Sequence, residues 1–87
     1  MYHVYLLQSE VKTKEFYLGL TGNLKKRIIQ HNNKETKSTA RYVPWRIVYY
    51  EAFQSREDAQ ERERKLKHHG KGMSELKKRL KNSIQNH

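Results

Sequence analysis

The sequence predicts an α+β fold: a three-stranded antiparallel sheet with helices packed against it, in the order β-β-α-β-α-α. Three observations lead there. Short runs rich in β-branched and aromatic residues stand at Tyr2–Gln8, Phe16–Leu20 and Trp45–Phe53. Segments with apolar residues three or four apart follow the second run once and the third run twice. The 87-residue chain has no cysteine, so one small core must hold it together without disulfides or a thiolate metal site.

Each element has its own local cause. Tyr2–Gln8 and Phe16–Leu20 flank the polar stretch SEVKTKE and should pair as an antiparallel hairpin with a loop longer than the tightest turns. Gly19 within the second strand marks a bulge or a close approach of another backbone or a ligand. Asn23 is a good N-cap for a helix running to about Asn32. The following NNKETKSTARYVP is polar and irregular, with Val43 held extended by Pro44. Trp45–Phe53 is the third strand, and core packing is the stronger reading of Trp45 than stacking on a base. Ser55 to Asp58 resembles a capping box and should open a helix to about Lys67. His68-His69-Gly70-Lys71-Gly72 should break it, and a last helix should run from about Ser74 to Ile84 with Leu76, Leu80 and Ile84 on one face. Adjacent histidines on a helix point about 100° apart, which argues against a zinc site at His68-His69. Residues 1–84 form the expected domain and 85–87 a disordered tail.

Charge points to the partner. The formal net charge is +10, carried by two blocks, 25–46 and 61–81, each with a net +6. Such a field attracts polyanions, nucleic acid first among them. No apolar run reaches the ~20 residues of a membrane span, and MYHVYLLQSE lacks the layout of a signal peptide, so a cytoplasmic protein is expected.

The functional signal lies in polar residues on faces that should be buried. Leu24, Ile28 and His31 share a narrow sector of the first helix, with Arg27 at its edge. In the second helix Ala59, Glu63 and Leu66 share one face, so Glu63 should be partly shielded from water. A shielded carboxylate needs a partner, either Arg27 in a structural ion pair or a divalent cation. Tyr5 and Tyr17 should be near-neighbours on one face of the hairpin. Phenol, guanidinium, imidazole and carboxylate thus converge, by pattern, on the surface between the hairpin and two helices.

These residues resemble the GIY-YIG endonucleases. His3-Val4-Tyr5 and Tyr17-Leu18-Gly19 are similar to the paired strand motifs, with His3 in place of the first glycine and Leu18 in place of the isoleucine. Thr21-Gly22-Asn23-Leu24, Arg27 and His31-Asn32 look like the family's first helix, Pro44 to Tyr50 like the third strand of small standalone members, and Ala59, Glu63 and Lys67 like the helix carrying the metal-binding glutamate. The resemblance covers about residues 2–82. It implies metal-dependent hydrolysis of phosphodiester bonds in DNA with weak sequence specificity. Tyr5, Tyr17, Arg27, His31 and Glu63 would be catalytic, with Glu63 holding Mg²⁺ or Mn²⁺. Gly19 would let the scissile strand approach, and Lys26, Arg41 and Lys67 would bind substrate. The rival reading is a non-catalytic nucleic-acid-binding module that keeps the fold. Charge cannot separate the two, but a shielded acid beside a polyanion repels phosphate unless a cation covers it.

Overall fold

The computed structural model describes residues 1–68 and 70–85. Its elements are β1 (Tyr2–Ser9), β2 (Phe16–Thr21), α1 (Leu24–Asn32), a 3₁₀ turn (Ala40–Tyr42), β3 (Trp45–Phe53), α2 (Arg56–His68) and α3 (Gly70–Arg79). The expected order is the observed one. The sheet is antiparallel, ordered β2-β1-β3, so β1 is central.

Side chains alternate across a strand, and register therefore decides which residues meet. Tyr5 stands opposite Gly19 and Leu7 opposite Tyr17. On the other side Tyr5 pairs with Tyr50 and Leu6 with Tyr49, but Leu7 pairs with Ile47, which leaves Val48 as a bulge. The extra residue returns Ile47 and Trp45 to the face of Tyr5. One face then packs Val4, Leu6 and Leu18 against Ala59, Leu66 and Leu76 of α2 and α3. The opposite face packs Tyr5, Leu7 and Trp45 against Leu24 and Ile28 of α1 and against Tyr42 and Val43. The sheet is thus the middle of three layers, and α1 and α2 lie on opposite faces. That corrects the expected single seam between the hairpin and both helices.

Asn23 caps α1 as expected, its Oδ1 accepting from Lys26 N at 3.1 Å. At the other end Asn32 brackets the start of β3. Its Oδ1 accepts from Trp45 N at 2.6 Å, and its Nδ2 donates to Trp45 O at 3.1 Å. The capping box before α2 is incomplete. Ser55 Oγ accepts from Asp58 N at 3.4 Å but donates to Glu57 Oε2 at 2.9 Å, leaving Asp58 out of the return bond. Arg62 Nε donates to Glu51 Oε2 at 2.6 Å and ties α2 to β3.

The break expected over 68–72 is not found at its described residues. His68 still belongs to α2 and α3 already starts at Gly70, while His69 lies outside the described residues. Met73, Leu76 and Leu80 pack on the α2 face of the sheet, and this tertiary burial outweighs the poor helix propensity of Gly70 and Gly72. The helix also stops at Arg79, short of Ile84, and continues as turns. Gln85, expected to begin a disordered tail, is bound on both sides. Gln8 Nε2 donates to Gln85 O at 2.7 Å, and Gln85 N donates to Gln8 Oε1 at 2.9 Å. Gln8 is fully buried, and with its Nε2 also donating to Thr13 O at 2.8 Å both polar atoms of its amide are satisfied. The rest of the expected tail, 86–87, lies outside the described residues.

Candidate active site

The site grows from the pairing of Tyr5 with Gly19. A Cβ at position 19 would lie 2.4 Å from Tyr5 Oη and 2.9 Å from Tyr17 Cε2. The glycine is there because the Tyr5 phenol lies across it. This corrects the expectation that Gly19 leaves room for a substrate strand: an internal side chain fills that room. Tyr17, on the same face, tilts against Tyr5 with ring centroids 6.3 Å apart.

α1 brings the other members. His31 is fully buried, its ring 4.8 Å from that of Tyr17 and 5.8 Å from that of Tyr5. Its Nε2 is 2.9 Å from Tyr5 Oη, and its Nδ1 is 2.8 Å from Thr39 Oγ1. Burial, and then the positive charge of Arg27, push the His31 pKa below 6.5 and keep the ring neutral. The Arg27 guanidinium lies beside both phenols and donates through Nη1 to Gln30 Oε1 at 3.2 Å. Burial raises the Tyr5 pKa, while Arg27 opposes the rise by favouring the phenolate. Tyr5, with no exposed surface, is an internal group, whereas Tyr17 and Arg27 are only half-buried and face outward from the same cluster.

Glu63 comes from α2, on the far side of the sheet. Its side chain is 21% exposed, the partial shielding expected of it. Of the two foreseen partners, Arg27 is not the one it meets: Lys67 Nζ, one turn on, lies 3.2 Å from Oε2. Arg27 is in none of the ion pairs among the described residues. The Glu63 charge still acts on the site, adding to the rise in the Tyr5 pKa. Lys67, assigned to substrate, is therefore engaged with Glu63.

The structure thus gathers Tyr5, Tyr17, Arg27 and His31 tightly, with Glu63 acting from a distance. Lys26 and Arg41 stand elsewhere. Lys26 lines an outer groove of α1 with Lys25, Ile29 and Glu35, and Arg41 Cζ sits 5.6 Å over the Tyr42 ring. Trp45 is core, with its Nε1 donating to Thr39 O at 2.8 Å. Sequence reasoning missed Thr39 and Gln30. Gln30 sits three residues after Arg27, a spacing at which helical side chains meet, so its contact was open to inference. Thr39 carries no such signal, because it lies in an irregular segment with no periodicity.

Residues 1–82 match the GIY-YIG catalytic domain. A UPF0213 protein of Clostridium perfringens is 41% identical over 68 residues, covering 77% of this chain and 71% of its own. A UPF0213 protein of Lacticaseibacillus paracasei is 37% identical over 62 residues, 70% of each chain. One from Streptococcus pyogenes is 41% identical over 56 residues, 63% of this chain and 61% of its own. No solved structure matches the chain significantly.

Proposed function

The chain belongs to the GIY-YIG family of nuclease domains, and from that premise we propose that it is a metal-dependent endonuclease cutting phosphodiester bonds in DNA with weak sequence preference. The observation that carries the reading is the outward-facing guanidinium of Arg27 set beside two phenols, one of them bonded to a buried neutral imidazole. A structural core has little use for that combination.

Arg27 is suited to donate to the non-bridging oxygens of a phosphate as negative charge builds on them, because its planar fork stays charged. Tyr17, half-buried and beside Arg27, is placed to orient the attacking water. Tyr5 has no open surface, so it acts through its neighbours, offering its proton to His31. Glu63 supplies one hard oxygen ligand. That donor suits Mg²⁺ or Mn²⁺, which take one or two carboxylates together with water and substrate phosphate. Among the described residues no group of three His, Cys, Asp or Glu could form a fuller cage. When bound, such an ion neutralises the charge on the leaving oxygen. Lys67 would release Glu63 to hold it, becoming free to meet phosphate itself.

The pairing of Glu63 with Lys67 is also the observation that favours the rival, a module that binds nucleic acid without cutting it. Supercoiled plasmid, branched DNA and RNA, incubated with Mg²⁺, Mn²⁺ or a chelator, separate the two. Nicking by the wild type that needs the metal, and that falls at least about 100-fold in Glu63→Ala and Arg27→Ala, is the expected result. Binding without nicking under every condition supports the rival. Nicking at full rate in both variants ends the assignment of these residues.

A further inference from the structure

We propose that Thr39 is a positioning residue of this site, holding His31 in the tautomer that makes Nε2 the acceptor of the Tyr5 proton. The inference rests on the nuclease reading for its purpose but not for its geometry.

The Thr39 hydroxyl has two neighbours, Thr36 O at 3.3 Å, a carbonyl that also accepts from the N–H groups of Thr39 and Ala40, and His31 Nδ1 at 2.8 Å. The carbonyl can only accept, whereas Nδ1 can donate or accept, so both contacts are hydrogen bonds only when the hydroxyl hydrogen points to Thr36 O and Nδ1 carries a hydrogen. A neutral imidazole has one N–H, so Nε2 is bare. The Tyr5 hydroxyl, 2.9 Å away, donates to it. The chain of donors runs from Tyr5 to His31 to Thr39 to Thr36, every member but Thr36 fully buried. Were the hydroxyl of Thr39 turned toward Nδ1, the hydrogen would move to Nε2, Tyr5 would accept, and the direction would reverse.

Thr39 is held for this purpose by more than its side chain. Its carbonyl accepts from the Trp45 indole at 2.8 Å, and its N–H donates to Thr36 O at 3.2 Å. Trp45 is in turn fixed by Asn32, the residue after His31. With Nε2 bare, the Tyr5 hydroxyl points its hydrogen inward at His31 and leaves its oxygen lone pairs to Arg27. The proton itself stays on Tyr5, because burial raises the Tyr5 pKa while burial and Arg27 lower that of His31.

The test is the ¹⁵N spectrum of the His31 ring in the full chain, taken near neutral pH beside plasmid nicking. In the wild type Nδ1 should be protonated and Nε2 bare. Thr39→Val, of the same shape without the hydroxyl, should lose the preference for Nδ1–H and slow nicking about 10- to 100-fold. Thr39→Ser should restore both. A wild-type ring protonated at Nε2, or a Thr39→Val protein that keeps Nδ1–H, overturns the proposal whatever the nicking rate. Should Thr39→Val not fold, the wild-type spectrum and a Thr39→Ser protein of native tautomer and rate decide the matter alone. A wild type with the stated tautomer that cuts nothing overturns the nuclease reading and leaves the tautomer assignment in place.

Discussion

His31 shows how much one side chain can depend on its surroundings. On a helical wheel it is a polar residue in an apolar sector; in the fold it is fully buried with both ring nitrogens bonded. Its lowered pKa has a consequence for stability. Above about pH 6.5 the ring is neutral in both folded and unfolded chains and pH has no effect through it. As pH falls below that value the unfolded chain binds a proton that the folded chain refuses. Stability therefore declines from about pH 6.5 down to the folded-state pKa, then levels off. Arg27 on α1, Tyr5 on β1, Tyr17 on β2 and Thr39 from the loop are the groups that face the ring. Thermal melts across pH 4–8 should show the decline, and His31→Gln should flatten that part of the curve. An identical slope in the variant would mean the ring is not held neutral. At the same scale, Gly19 reads in the sequence as a place for close approach, which it is, but what approaches is Tyr5.

At the scale of elements, local rules succeed where the partner is near in sequence. The Asn23 cap, the buried stripe of α1 and the three strands all follow from spacings of a few residues. They fail at α3, where glycines mark a break and burial of Leu76 overrides them. Among its described residues α2 buries two side chains, Ala59 and Leu66, in an otherwise polar helix. Leu66→Ala should thus cost about 2–5 kcal/mol, a large share of the stability of a domain this small. Urea denaturation should register the loss as a lower midpoint with little change in slope. A cost under about 1 kcal/mol would mean that α2 is anchored elsewhere, with the Arg62–Glu51 pair the first candidate.

For the whole molecule the dominant feature is charge. The two basic blocks fall on α1 and its following loop, and on α2 and α3, which the sheet separates. Nucleic-acid affinity should fall linearly with salt on logarithmic axes, by about 100-fold between 50 and 200 mM if about four phosphates are contacted. Titrations at several salt concentrations give the slope directly, and a flat line would remove phosphate contact from the account. Among the described residues no helix is long and apolar enough to cross a membrane. Composition, strand and helix patterns, the cap of α1 and the convergence of Tyr5, Tyr17, Arg27 and His31 were all legible in the sequence, because each depends on residue type and short-range periodicity. Tertiary structure alone decided that α1 and α2 take opposite faces, that Tyr5 lies over Gly19 and that Thr39 reaches His31. Those outcomes turn on strand register, one bulge and the path of a loop, and such contacts between distant residues leave no periodic trace in the chain.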